Sequence, residues 1–473
     1  MTLLRVGFTE PLQSPGTLVV SYTTVSPLPT PRVGGLFSVA LSRGSPRVGV
    51  AHHPALWSPD FPRRVTGVLD AAARPARPPY RQDTPPPPPV TVTAVWIVAV
   101  VVGVLVLATG WLPLAGAAAI TGRVAPILAF LVAITVVAEL ADAAQLFDVA
   151  AARAARLGRG RTRRLFLAVV ALGGVTTIVL SLDTTAVLLT PVVLALAGQL
   201  QLDPVPFAFA AVWLANTTSL LLPVSNLTNL LAVDRLHLAA TGFGARMWLP
   251  ELAAVATTAV VLGLRHRRAL SGRYAAPAAP VVTDHVLFGT AVVVCLGLVP
   301  AFVAGVPVQW SALGTAAVLA AVFGVRRRAA LRWSLIPWRL VLVVEGLFLG
   351  VTAAGVHGLD SVLSHAAGTG TGPLATLRIA GVGAAASNAV NNLPAYLALE
   401  RVADGRTPQL LGLLLGTNVG PLITLWASLA TLLWRERCAA RGVRISAREF
   451  AVTGAIGVPL LLVATWAGLL AVT

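Results

Sequence analysis

The sequence predicts an all-α polytopic membrane protein: an inverted repeat with two re-entrant hairpins and two broken transmembrane helices. Three observations carry that expectation. Of 473 residues, 56% are hydrophobic and only 11% charged, far more apolar surface than a soluble fold needs. The basic residues cluster between apolar runs. Two regions, Ser181 to Ala232 and Ser387 to Trp434, are interrupted near mid-membrane depth by Asn, Asp, Thr, Ser, Gly and Pro. Such interruptions survive in a bilayer only where the freed backbone groups are buried in protein or line a cavity, and paired interruptions point to a transporter's binding site.

The net charge of +17 contains no lysine. Of the 35 basic residues, twenty lie in 153–164, 265–273, 326–339 and 435–448, and nine in 1–90. The positive-inside rule makes these stretches and the N-terminus cytoplasmic, in a multi-pass protein of the inner (plasma) membrane. No basic patch with interleaved aromatics supports nucleic-acid binding. Cys295 and Cys438 are too few and too far apart for a disulfide or metal framework, so no metal or cofactor is expected.

Residues 1–90 hold nine Arg and many Pro, ending in Pro85 to Pro89, and read as a disordered Arg/Pro-rich tail. A misassigned start is the equal alternative. A first membrane repeat follows at 91–264, with spans at 91–110 and 124–146 and a non-crossing loop between them. A hairpin then enters from the cytoplasm with its tip at Ser181 to Ala186. A helix over 207–232 is broken around Ala215 to Ser219, and a span at 248–264 returns inward. After a cytoplasmic linker at 265–285, the second repeat, 286–473, has spans at 286–304, 310–325 and 340–356. An outer loop covers 357–373, and the second hairpin, over 374–400, has its tip at Ser387 to Asn392. A helix over 408–434 breaks around Gly416 to Pro421, and the last span is 449–472. One span of the second half has no counterpart in the first. Either the fold tolerates the loss or the recorded N-terminus replaces a genuine helix.

Asp183 is the only acid at a hairpin tip. An ionised carboxylate at mid-membrane costs about 2.5 to 3.5 kcal/mol on insertion scales unless it meets water or a partner, which makes it a candidate proton carrier; the alternative is a protonated Asp that caps a half-helix. Glu345, within VLVVEGLFLG, is the second proton-coupling candidate, whereas Asp142 and Glu251, near expected helix ends, read as reaching headgroups. Asn216, Thr217, Ser219, Ser225 and Asn226 at the first break, and Asn388, Asn391, Asn392 and Asn418 at the second, are candidate substrate-binding residues. Neutral amides and hydroxyls donate and accept without a desolvated charge, which suits a small uncharged polyhydroxyl solute. Their alternative role is to cap breaks and join helices. His357 and His365 read as solvated loop residues. No metal-protease, phosphate-loop or nucleophile-elbow motif is present, and no enzyme is expected.

LDTTAVLLTPVVLALA at 182–197, ANTTSLLLPVSNLTNLLA at 215–232, NNLPAYL at 391–397 and GTNVGPLITLWASLATLLW at 416–434 resemble the ArsB-type arsenite/antimonite efflux permeases. The likeness covers about 91–472. It implies proton-coupled efflux of arsenite or antimonite as neutral hydroxides, with Asp183 as the first-hairpin Asp and Asn391 and Asn392 as the second-hairpin pair. The expected partners are this solute, protons and the lipid bilayer; a cytosolic ATPase subunit and a second copy of the chain are further candidates. The chain departs from the family at Asn418, where better-known permeases carry Asp, and at Leu422, where they carry Lys. Rival readings are a sodium- or proton-coupled transporter of small anions such as dicarboxylates, a sodium/proton antiporter, and a channel or scaffold. Neither tip carries the Ser-Asn-Thr of dicarboxylate symporters.

Overall fold

The computed structural model describes residues 92–473 except 276, 278, 279, 369, 371 and 404, with side chains from Ile97 onward. Of residues 1–91 it describes β1 Phe8–Thr9 and β2 Leu36–Phe37, an antiparallel pair with Phe8 opposite Phe37. The tail expected over 1–90 otherwise lies outside the described residues. The chain divides into the units Met1–Pro85 and Pro86–Thr473, and the described helices are all in the second.

The first half comprises α1 Val92–Ala108, α2 Leu114–Ala143, α3 Leu146–Leu157, α4 Thr162–Val179 and α5 Leu182–Gln199. It continues with α6 Val205–Thr217, a 3₁₀ turn at Pro223–Ser225, α7 Leu227–Leu236 and α8 Ala240–Arg265. Helix α2 begins ten residues before the expected span, at Leu114 after Pro113, because the Ala-rich stretch assigned to a loop is a good helix former. Arg123 therefore lies inside a helix. The break after α6 also comes later than expected. Asn216 and Thr218 bond back to the carbonyls of Val212 and Leu214, so polarity alone does not end the helix. Pro223 does block helical continuation: it has no N–H and holds Leu222 extended, at φ −115°, ψ 148°.

The second half comprises α9 His285–Val303, α10 Val308–Arg326, α11 Trp338–Ala354, α12 Asp360–Ala367, α13 Pro373–Val390, α14 Asn392–Ala403, α15 Thr407–Val419, α16 Leu429–Ala440 and α17 Ala447–Leu470. Where an outer loop was expected, a π turn at Gly355–Leu359 and helix α12 occur instead, and His357 stacks on Trp111 at 5.1 Å. The second interruption covers 420–428; Gly416 stays helical and the break coincides with Pro421.

Eight helices among the described residues are long and apolar enough to cross a membrane. Their outer faces keep large apolar side chains exposed, such as Val260, Val293 and Leu296, as a lipid-facing surface would. Helices α6 and α15, by contrast, are buried along their whole length apart from Thr407 and Pro408. Packing recurs in matching pairs between the halves. Helix α2 packs on α10 and α1 on α11; α4 packs on α6 and α13 on α15; α7 meets α15 and α16 meets α6; and α8 pairs with α17.

Charge sorts to two ends. The backbones of Arg161 and Arg273 pair, Arg326 bonds Asp284 at 2.7 Å, and Arg327 donates to the Ala143 carbonyl, which brings the first three arginine-rich stretches to one end. Arg437, from the fourth, acts on Asp142 at the same end. There Arg326 and the amides of Leu287 and Val286 hold the half-buried Asp284 carboxyl below the usual range. At the other end, Arg123 bonds both Asp234 and Glu400 at 2.8 Å, and Arg401 bonds Asp360 at 2.9 Å.

Candidate functional site

The two helix-break-helix units turn at single non-glycine residues with unusual backbones, Ser181 (φ 153°) and Asn391 (φ 114°). Such conformations cost about 1 to 3 kcal/mol each and persist only where their surroundings over-determine them. At Ser181 the side chain accepts from Thr184 N–H at 3.3 Å, and the Thr177 and Thr185 hydroxyls bond across the turn at 2.7 Å. At Asn391 the amide donates to the Trp426 carbonyl at 2.9 Å, and the Asn392 backbone N–H donates to Ala427 O at 2.8 Å. The first tip is pinned by its own arms, the second by the break of the helix that follows it.

The two breaks meet at Asn418. Its side-chain oxygen accepts from Asn226 Nδ2 at 2.6 Å and from the Thr228 hydroxyl at 3.0 Å, and its Nδ2 donates to Asn229 at 2.8 Å. Asn229 in turn donates to the carbonyls of Ser219 and Leu222, satisfying groups that the break freed. Asn388 serves the second break alike: its amide donates to Gly420 O at 2.8 Å, and its oxygen accepts from Ile423 and Thr424 N–H, both at 3.0 Å.

Asp183 stands beside this network. Its carboxylate is half-buried and makes no hydrogen bond or ion pair among the described residues. It borders two cavities. The larger, about 240 Å³, reaches toward the arginine-rich end past Glu139, Arg339 and Arg437. The smaller, about 160 Å³, is lined by Leu182, Asn226, Asn391 and Asn392 with apolar residues of α11 and α16. The Asn392 side chain makes no hydrogen bond among the described residues and remains available to a solute.

The candidate residues thus separate. Asp183, Asn226, Asn391 and Asn392 come together on the smaller cavity, with Asn418 directly behind Asn226. Thr217 bonds Thr258 at 2.9 Å, Ser219 its own Asn216 carbonyl, Ser225 the Ile178 carbonyl at 3.0 Å, and Asn216 Val212, so these four and Asn388 hold backbone and neighbouring helices. Glu345 faces α2, where it accepts from Thr121, and lines neither cavity. Asp142 is half-buried in the last turn of α2 near Arg437.

Glu251 is placed differently from expectation. Helix α8 starts eight residues before the expected span, so Glu251 lies roughly 16 Å along it, 4% exposed, rather than at a headgroup. Its Oε2 accepts the Leu220 N–H of the first break at 2.9 Å. The Pro-Glu pair inside an apolar run was the sequence signal. Glu400, buried between Arg123 and Arg235, was not singled out either, because no local pattern brings α2, α7 and α14 together.

Paired helix-break-helix units and two interrupted helices whose breaks share one polar network around a carboxylate-bordered cavity define a secondary membrane transporter. The model of the citrate transporter family matches residues 89–431. The chain belongs to that family and, within it, to the ArsB-type arsenical pump permeases. It is 31% identical over 379 residues to the arsenical pump membrane protein of Escherichia coli, covering 75% of this chain and 88% of the relative. To that of Yersinia enterocolitica it is 31% identical over 351 residues, covering 69% and 81%. Its fold is similar to the YdaH transporter of Alcanivorax borkumensis, described as having an unusual topology, with TM-score 0.51 at 15% identity over 80% of this chain and 96% of that one.

Proposed function

We propose that this permease exports arsenite and antimonite as neutral hydroxides across the inner membrane in exchange for protons, with its N-terminus and arginine-rich end in the cytoplasm. The observation that carries the reading is the position of Asp183 between two cavities, one toward the arginine-rich end and one lined by Asn226, Asn391 and Asn392. An unpaired carboxylate accessible to water can take and release a proton. Unionised amides beside it can bond hydroxyls without demanding charge. The 91–264 and 286–473 halves act as an inverted repeat, an arrangement that the matching helix pairs fit, and the break-bearing helices move against the remaining spans. Glu345, the amides of Asn216 and Asn388 and the hydroxyls of Thr217, Ser219 and Ser225 support this site from outside the cavities.

Everted vesicles test the reading by comparing uptake of arsenite, antimonite and succinate under imposed proton or sodium gradients. Arsenite uptake driven by a proton gradient and lost in Asp183→Asn is the expected result. A second reading, coupled transport of a small anion, draws on Arg339 and Arg437 at the larger cavity. Sodium-dependent succinate uptake without arsenite uptake would establish it instead.

A further inference from the structure

Glu251 is the one acid of α8 and lies outside both cavities. Its Oε2 accepts from Leu220 N–H at 2.9 Å, the Leu221 amide also faces it, and its buried Oε1 has no hydrogen-bond partner among the described residues. No charge among the described residues compensates it. Helix α6 carries no titratable side chain. Arg163 and Arg164 of α4, His285 of α9, Arg448 and Glu449 of α17 and Arg265 of α8 sit at helix ends, Cys295 of α9 is uncharged, and none of them or Arg246 makes an ion pair with Glu251. An isolated ionised carboxylate in such surroundings costs several kcal/mol, which two backbone amides do not fully offset.

The same break leads to the transport site. Leu220 is bonded to Glu251, and its neighbour Ser219 offers its carbonyl to Asn229. Asn229 accepts from Asn418, which accepts from Asn226 on the smaller cavity. A change in how Glu251 holds the break therefore reaches Asn226 through two side-chain amides, those of Asn229 and Asn418. A carboxylic acid tolerates the dry, closed break, whereas a carboxylate needs water or more donors and favours a break that opens.

We infer that Glu251 is a second proton-binding residue of the transport cycle, which binds a proton from water when the first break closes and returns it to water when the break opens. This rests on the proton-coupled reading above and deepens it. It also assigns the role to Glu251 ahead of Glu345, because Glu251 bonds the first break at Leu220 whereas Glu345 bonds Thr121 of α2, away from either break.

The test compares arsenite uptake into everted vesicles across a pH series for the wild-type chain, Glu251→Gln and Glu251→Asp. Glu251→Gln is expected to lower proton-driven uptake about tenfold and leave a residue flat across pH, while Glu251→Asp, which still titrates, keeps a sloping profile. A Glu251→Gln profile that overlays the wild type overturns the inference. Labelling of the wild-type protein with a hydrophobic carbodiimide, which reacts with protonated buried carboxyls, needs no variant to fold. An adduct at Glu251 that is reduced at alkaline pH is expected, and absence of the adduct at every pH overturns the role. Wild-type vesicles with no proton-driven arsenite uptake would defeat the functional reading itself, which separates the two failures.

Discussion

Asn226 and Asn418, 192 positions apart, bond side chain to side chain at 2.6 Å and tie the interrupted helix of one half to that of the other. Helices α6 and α15, which lead into the two breaks, are buried, and each half supplies what the other lacks. Asn418→Ala strands Asn226, Thr228 and Asn229 together. With about 1 to 3 kcal/mol for each of the three buried groups left unsatisfied, the loss should be at least roughly 3 kcal/mol, seen as a lower melting temperature in detergent and little transport. Asn418→Asp keeps both acceptor contacts and, when protonated, can still donate to Asn229, so it should be the milder change.

Close helix contact in the second half depends on Gly416. A Cβ there would collide with the Ala380 carbonyl of α13, whereas one at Gly381 meets nothing within 4 Å. Gly416→Ala should cost about 1 to 3 kcal/mol by forcing α13 and α15 apart, and Gly381→Ala close to nothing. Thermal unfolding of both variants side by side checks this, and equal melting temperatures would refute the contact.

At the end opposite the arginine-rich stretches, Glu400 on α14 is 3% exposed and lies 2.8 Å from Arg123 and 3.8 Å from Arg235. Glu400→Ala removes a buried acid that faces both guanidinium groups. It should destabilise by about 1 to 3 kcal/mol, since Arg123 and Arg235 stay partly exposed and Arg123 keeps Asp234. Glu345→Gln, which disturbs only the Thr121 contact, should keep proton-driven uptake within roughly threefold of wild type, in contrast to Asp183→Asn.

His266 follows α8 and packs against Phe209 at 5.3 Å. Burial, then the Arg265 charge, lowers its pKa from 6.5 to about 4. Because the unfolded chain binds this proton more readily, the neutral imidazole contributes stability that is present above pH 6.5 and lost as pH falls toward 4. His266→Phe should flatten the melting temperature between those limits. The change is at most roughly 2 kcal/mol after discounting for partial exposure, and an unchanged acid slope would exclude His266 as its source.

Much of this architecture could be read from residues in order. The apolar runs marked the spans because a bilayer demands about 20 apolar residues per helix, and the hairpin turns were legible at Ser181 and Asn391 because polar residues cannot lie at that depth without a built environment. Break positions were less legible. Polar side chains such as Asn216 bond their own helix, so the true interruptions fell later, at the prolines. Glu251 was misread for a related reason: the start of α8 decides whether that carboxylate meets headgroups or protein, and hydropathy does not mark that start.

The sequence by itself determined the membrane class, the arginine pattern and the two interrupted regions, since each follows from local composition weighed against a uniform apolar solvent. Only the tertiary structure decided which polar residues face a cavity and which close a break. A buried amide's role depends on the partners that arrive from distant helices, as Asn418 meets Asn226 and Glu251 meets Leu220, and those meetings have no signature in either segment alone.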